Sequence, residues 1–291
     1  MSATSTATVR TVGSLVKFSH TIFALPFALA AVVLALPYAP FTWTKLGLIV
    51  LAIAAARTAA MAFNRLVDRD IDADNPRTAD RELPRGALSV GFVRALVLAS
   101  CAVFVGCAAL LGNLPLMLSP VALGLALGYS YVKRFSSLCH LVLGAAIAFA
   151  PGGAWIAMGA PVTAAPWLLV VGVASWVGGF DILYALQDEG FDRTRGLHSI
   201  PVRLGTVGAL WASALLHVLT AACLVGAGFV LGRGPLYFAG CAVVTAILVY
   251  EHAIVRPGDL SRIDKAFFDL NGYVSLVFFG CVLGDHLLRG G

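Results

Sequence analysis

The run Ala95–Val132, ALVLASCAVFVGCAALLGNLPLMLSPVALGLALGYSYV, contains no Asp, Glu, Lys or Arg. A helix that crosses a bilayer needs roughly 20 apolar residues, so this run is long enough for two spans, divided at the turn-forming Asn113-Leu114-Pro115. Phe135–Phe180 repeats the pattern, with a break over Gly159–Pro166, and Phe18–Thr44 and Leu204–Gly232 are also free of charge. With the weaker apolar segments the reading becomes about nine spans: 15–37, 46–66, 90–111, 114–132, 138–158, 166–188, 206–231, 235–254 and 266–287. The fold class is all-α integral membrane, one polytopic domain over residues 1–291.

Composition leads to the same class. Of 291 residues, 59% are hydrophobic and 12% charged, and the mean hydropathy is +0.90. Soluble domains carry about 25% charged residues, so this chain lacks the polar surface to cover a water-soluble globule. The net charge of +5 is laid out by topology and implies no nucleic acid. Arg10, Lys17, Arg65, Arg69, Arg77, Arg81, Arg85, Arg94, Lys133, Arg134, Arg193, Arg195, Arg203, Arg256, Arg262 and Lys265 fall on one side of the spans. The other side has only Lys45, Arg233 and Arg289. The positive-inside rule then places the N-terminus and the even-numbered connections in the cytoplasm, the chain crossing the inner membrane many times. The first apolar segment follows Arg10 and Lys17 as a signal peptide would, but with eight further spans it reads as a retained helix. Residues 1–10 read as disordered. The six cysteines are scattered through apolar runs without CxxC spacing and read as small buried hydrophobes.

The polar residues that remain are organised in a repeat. The second span ends in Asn64-Arg65-Leu66-Val67-Asp68-Arg69-Asp70-Ile71-Asp72, and the sixth in Asp181-Ile182-Leu183-Tyr184-Ala185-Leu186-Gln187-Asp188-Glu189-Gly190-Phe191-Asp192. Asp68/Asp72 and Asp188/Asp192 share a four-residue spacing and lie 120 positions apart, as do Asn64 and Tyr184. Four residues make one helical turn, so each set forms a stripe on one face. Polar sites in membrane proteins often lie where such repeats meet. Carboxylates one turn apart repel each other, so a cation is expected between them. Hard oxygen ligands select Mg²⁺ or Ca²⁺, and Mg²⁺ takes one or two carboxylates together with substrate phosphates. Asn64, Asp68, Asp72, Asp188 and Asp192 are therefore the candidate metal-binding and catalytic residues.

Basic residues share the face that carries these carboxylates. Arg77, Arg81, Lys133, Arg134, Arg193, Arg195, His198 and Arg203 are the candidates for the outer oxygens of a Mg²⁺-bridged diphosphate, Arg77, Lys133 and Arg134 foremost, since guanidinium groups bind such oxygens bidentately. Arg57 lies inside the second span, two turns before Asn64, and Asp181 holds the matching place before Asp188. Ionisable residues within a span mark functional sites. The pair reads either as a structural ion pair or, the preferred reading, as substrate-facing groups, with Arg57 gripping a polar or carboxylate group of the acceptor. His20 in the first span reads as a hydrogen-bonding partner for a neighbouring helix.

In these residues the chain resembles the UbiA superfamily of intramembrane aromatic prenyltransferases. The NxxxDxxxD motif of that family is matched by Asn64, Asp68 and Asp72, followed by Asn75-Pro76-Arg77-Thr78 and preceded by Arg57. The DxxYAxxDxxxD motif is matched by Asp181, Tyr184, Ala185, Asp188 and Asp192, and Tyr131-Val132-Lys133-Arg134-Phe135 is similar to the family's basic connection between the fourth and fifth helices. The resemblance covers essentially the whole chain. It implies two pseudo-repeated halves around a central cavity capped by cytoplasmic loops, and two Mg²⁺ ions holding the diphosphate of a polyprenyl donor. It also implies an allylic carbocation that attacks an aromatic ring, with Tyr184 and Asp181 among the substrate-binding residues. Phe18–Phe27 and Gly196-Leu197-His198-Ser199-Ile200-Pro201 are similar to the 4-hydroxybenzoate polyprenyltransferase branch of respiratory quinone (ubiquinone or menaquinone) biosynthesis. Ubiquinone members of proteobacteria carry Lys-Ser where this chain has His198-Ser199. That departure keeps open a second acceptor, the purine-containing benzoate of the futalosine route to menaquinone.

A cation-coupled transporter is the reading from a different class. It expects broken helices or polar groups near the bilayer midplane, whereas these carboxylates cluster at one face among arginines. The membrane CDP-alcohol phosphotransferases also use Mg²⁺ and repeated aspartates, but their DGxxAR signature is absent.

Overall fold

The computed structural model describes residue 11, residues 13–15 and residues 21–290. His20 and the first ten residues lie outside the described residues. Among the described residues there is no strand beyond an isolated bridge between Arg256 and Asp259. Among the described residues eight helices are long and apolar enough to cross a membrane, and a shorter apolar helix spans Phe23–Tyr38. The chain is an all-helical, multi-pass membrane protein.

The helices follow the charge-free runs, and their ends show what stops them. α1 is Thr21–Ala35, α2 Trp43–Val67 and α3 the short Arg69–Asp74. α4, Val90–Leu111, begins where the Ser89 side chain accepts a hydrogen bond from the Phe92 N–H at 3.2 Å, satisfying one of the donors a helix start leaves unpaired. α5 is Asn113–Val132. The division expected over Asn113-Leu114-Pro115 is made by Gly112 alone, at φ +133°. Only glycine adopts such a backbone readily, and Pro115 is then tolerated within the first turn of α5. α6, Cys139–Met158, likewise stops at Gly159 in the left-handed region. α7 is Ala164–Ala185, continued by a 3₁₀ turn, Leu186–Asp188, and α8, Glu189–Thr194.

α9, Ile200–Val230, starts earlier than the expected 206. The Ser199 side chain caps it by accepting from the Val202 N–H at 3.3 Å, and Gly205, at φ +68°, kinks it within its first turns. The charged Arg203 lies in this early segment, so hydropathy alone places the start too late. α10 is Pro235–Ile254, α11 the short Ile263–Lys265 and α12 Asn271–Leu288, with a π-helical turn over Ala266–Leu270.

The chain divides into two compact units. The first comprises residues 47–131 with the described residues up to 21. Its packed centre is Leu15, Ala62, Leu83, Val93 and Val97, with Phe63, Leu66 and Leu88 against it. The second unit comprises residues 22–46 and 132 onward. There α7 packs on α6 and α9, and α10 packs on α12 and α9.

The α6–α7 contact depends on small residues. A Cβ placed on Gly144 would run into the Ala174 carbonyl, and one on Gly178 would press on Leu141 and approach the His140 carbonyl. Close approach through glycine and alanine is the usual means by which helices pack where no aqueous hydrophobic drive acts. Outward faces of the spans carry exposed Leu98, Leu110, Trp211, Leu215 and Val249, as lipid contact allows. Inside the second unit, Phe23, Phe27, Trp176, Phe180, Phe267 and Phe278 form a chain of ring contacts.

Three polar side chains buried among these helices are tied to one another. The Trp176 indole N–H donates to Asn271 Oδ1 at 2.6 Å, and Asn271 Nδ2 donates to Glu251 Oε1 at 3.0 Å. All three residues are almost fully buried. An unpaired polar group at this depth costs several kcal/mol in a low-polarity interior, which accounts for their linkage.

Candidate functional site

In the first unit the acidic motif sits where α2 ends. The Asp68 N–H still bonds to the Asn64 carbonyl at 2.9 Å, and the Asp72 N–H to the Asp68 carbonyl at 2.7 Å. The helical path therefore carries through, but Asp68 itself leaves helical backbone, with φ −91° and ψ 5°. The expected uninterrupted stripe of Asn64, Asp68 and Asp72 is thus bent at its middle member. Asn64 Nδ2 donates to Asp68 Oδ2 at 2.9 Å and lies 3.4 Å from Ser130 Oγ. This orients the amide with its nitrogen on the carboxylate.

Asp72 is buried, and both its oxygens accept from Arg81 Nη1, at 2.7 and 2.8 Å. The Thr78 hydroxyl donates to the Asp72 carbonyl at 3.0 Å. The loop after α3 is held inward by these bonds. Within it, Asn75 Oδ1 accepts from the Arg77 N–H at 3.0 Å while the Arg77 side chain stays exposed. Glu82, also buried, accepts from the Ser14 hydroxyl at 2.5 Å. Arg57 is half-buried within α2, two turns before Asn64.

The second unit repeats the local design. Asp188 closes the 3₁₀ turn after α7 with φ −100° and ψ 0°, and the six-residue α8 follows it as the six-residue α3 follows Asp68. Here too the stripe through Tyr184, Asp188 and Asp192 is interrupted by the tighter turn. Asp192 is buried, and its carbonyl accepts from the Leu197 N–H at 2.8 Å. Glu189 accepts from Arg193 at 3.0 Å and from the Thr206 hydroxyl at 3.2 Å. Tyr184 stacks on Phe267 with ring centroids 4.1 Å apart. Phe267 rides on the π-helical turn, a distortion common at functional sites.

Asp181 pairs with a residue that sequence reasoning did not select. His140 Nδ1 lies 2.7 Å from Asp181 Oδ2, and His140 Nε2 accepts from the Ile200 N–H at 3.3 Å. The available signal was a lone histidine in the apolar run Phe135–Phe180, seven residues after Lys133. The basic connection and the Gly196–Pro201 segment are brought together: the His198 N–H donates to the Lys133 carbonyl at 2.7 Å, while the His198 side chain is exposed. Lys133 and Arg134 are half-buried beside it. Arg203 Nη1 lies 3.4 Å from Ser137 Oγ.

The donors offered by these motifs are hard oxygens. Among the described residues no group of three or more His, Cys, Asp or Glu side chains is drawn together as a ready-made metal cage. The carboxylates instead occur in pairs, which suits a cation that keeps waters and completes its shell with substrate phosphate. Asp68, Asp72 and the Asn64 amide oxygen are the hard-oxygen donors that could hold Mg²⁺ in the first unit, and Asp188 and Asp192 those in the second. Asp72 offers its oxygens with Arg81 already bound to them.

The model of the UbiA prenyltransferase family matches residues 24–276. The 4-hydroxybenzoate octaprenyltransferase of Alkalilimnicola ehrlichii is 31% identical over 82% of this chain and 81% of its own length. The counterpart from Aromatoleum aromaticum is 32% identical over 79% of this chain and 78% of its own. Among solved structures, the apo structure of a UbiA homolog from Aeropyrum pernix K1 superposes with a TM-score of 0.84 at 36% identity, covering 91% of this chain and 98% of that one.

Proposed function

The chain belongs to the UbiA prenyltransferase family, and from that premise we propose that it transfers a polyprenyl chain from a polyprenyl diphosphate to 4-hydroxybenzoate in respiratory quinone biosynthesis. It is a membrane prenyltransferase. The observation that carries the finer reading is the recurrence, in both units, of an aspartate at a bent helix end followed by a six-residue helix with a second, buried aspartate.

Asp68, Asp72 and Asn64 in one unit, and Asp188 and Asp192 in the other, are the residues that would hold Mg²⁺. Bound there, the metal would neutralise charge growing on the diphosphate as the allylic C–O bond breaks. Arg77, Lys133, Arg134 and His198 supply charge for the outer phosphate oxygens. Arg57 grips the acceptor carboxylate, for which a guanidinium within an apolar span is well suited. Tyr184 and its stacked partner Phe267 present an aromatic surface on the motif-bearing helix, and aromatic faces attract cations. Surrounding apolar helices exclude the water that would quench a carbocation. The distribution of Lys and Arg supports a cytoplasmic placement of both acidic motifs.

The test is an acceptor panel on purified protein in lipid, supplied with Mg²⁺ and a polyprenyl diphosphate. Prenylated 4-hydroxybenzoate is the expected product. The His198-Ser199 pair favours one other acceptor, the purine-containing benzoate of the futalosine route. Turnover of that compound without turnover of 4-hydroxybenzoate would replace the first acceptor by the second. No product with either would overturn both.

A further inference from the structure

His140 is placed to do more than fill the α6–α7 interface. It is 3% exposed and both ring nitrogens are engaged, Nδ1 with Asp181 Oδ2 at 2.7 Å and Nε2 with the Ile200 N–H at 3.3 Å. A backbone N–H can only donate, so Nε2 must be the acceptor, and the ring proton sits on Nδ1, where it donates to the carboxylate. A doubly protonated ring would set an Nε2–H against the Ile200 N–H.

Ile200 is the first residue of α9, and its N–H is among those a helix start leaves without a partner inside the helix. His140 satisfies it from a different helix. Just before it, the His198 N–H is bound to the Lys133 carbonyl at 2.7 Å and the Leu197 N–H to the Asp192 carbonyl at 2.8 Å. The segment between α8 and α9 is therefore tied in succession to the second acidic motif, to the basic connection and to His140. The Cys139 thiol also approaches the His198 carbonyl at 3.5 Å, but of these ties only the one through His140 reaches Asp181.

We propose that His140 is a positioning residue for the prenyl diphosphate: by joining Asp181 to the amino end of α9 it holds the segment from Arg195 to Ser199 against Lys133. This rests on the proposed transfer from a prenyl diphosphate for its kinetic part, and on geometry alone for its structural part. Without the ring, Asp181 loses its donor and the Ile200 N–H its acceptor, and a buried polar group left so is costly. The segment then gains freedom, and the basic groups on it are no longer preset for a diphosphate.

Two readouts separate positioning from general damage. Arg193 and Arg195 are exposed tryptic sites on the segment itself. In protein held in lipid without substrate, His140→Ala is expected to speed cleavage after Arg195 by about tenfold. In turnover, the same variant is expected to raise the KM for the prenyl diphosphate by about tenfold, leaving the KM of the aromatic acceptor within about twofold.

His140→Gln and His140→Asn divide the two bonds. A glutamine amide oxygen reaches toward the Nε2 position and can take the Ile200 N–H, whereas an asparagine amide matches Nδ1 and serves Asp181 alone. Glutamine is expected to restore protection of the segment, and asparagine to leave it open. If the alanine variant does not fold, this comparison decides the matter by itself. Equal cleavage of the glutamine and asparagine variants, cleavage of the alanine variant at the wild-type rate, or an equal rise in both KM values would overturn the proposal. Cleavage is read without turnover, so an error in the assigned substrates would leave that readout standing.

Discussion

Asp68 and Asp188, 120 positions apart, take the same non-helical backbone, φ −91° and ψ 5° at the first, φ −100° and ψ 0° at the second. Each ends a long apolar helix and opens a six-residue one, so the repeat read in the sequence extends to the way each chain segment bends. A bend at this point turns the second aspartate of each pair, Asp72 or Asp192, inward to a buried position.

The aspartates are expected to be the residues most sensitive to substitution. Asp68→Asn and Asp188→Asn should each lower prenyl transfer by orders of magnitude at saturating Mg²⁺ while leaving expression and melting temperature close to wild type, and EDTA should abolish wild-type turnover. Initial rates across a Mg²⁺ titration check this. Near-normal turnover of both variants would remove the metal assignment.

Arg81 should matter for folding of the first unit. Its Nη1 reaches both oxygens of the buried Asp72, so Arg81→Ala leaves a carboxylate buried without its counter-charge. Breaking such a pair costs on the order of 3 kcal/mol. Arg81→Lys is expected to recover only part of this, since an ammonium is a point charge without the planar fork. Melting of the two variants in detergent, with Asp72→Asn as the partner in a double-mutant cycle, measures the coupling.

Arg57→Ala is expected to raise the KM for the aromatic acceptor by about tenfold, with little change in the KM of the prenyl donor. Steady-state kinetics with each substrate varied in turn supply the comparison. An unchanged acceptor KM would refute the anchor.

Trp176→Phe keeps the ring contacts with Phe27 and Phe180 but removes the N–H that serves Asn271 Oδ1. The expected loss is about 1–3 kcal/mol, the penalty of one buried acceptor left unmatched. A melting temperature indistinguishable from wild type would show that another donor replaces the indole.

Most of the spans could be read from the sequence because absence of charge over roughly 20 residues has one physical meaning for a helix in lipid. Boundaries were less legible where a single backbone angle decides them. Gly112, not Asn113-Leu114-Pro115, makes the turn between α4 and α5, and Ser199 starts α9 ahead of a charged Arg203 that hydropathy counts against a helix. The acidic pairs were legible because repetition at fixed spacing survives translation into structure. The His140–Asp181 bond joins residues 41 positions apart on two different helices, and no periodicity along the chain encodes which helices meet or at what height. Arg81 was visible as one basic residue among many on its face, but nothing in the sequence singled out Asp72 as its partner.

The absent side chain at Gly144 has a genetic consequence. Gly144 lies one turn from His140 on α6, and the Ala174 carbonyl it admits lies two turns from Asp181 on α7. Gly144→Ala should therefore separate the two helices and cost about 1–3 kcal/mol, whereas Gly153→Ala on the same helix, with open space around its Cβ, should stabilise slightly. Thermal melting of the two variants should move in opposite directions. A selection for lost quinone synthesis would then return position 144 alongside the aspartates, although glycine brings no reactive group of its own. Tolerance to drift in this chain is set as much by the gauge of one helix pair as by its chemistry.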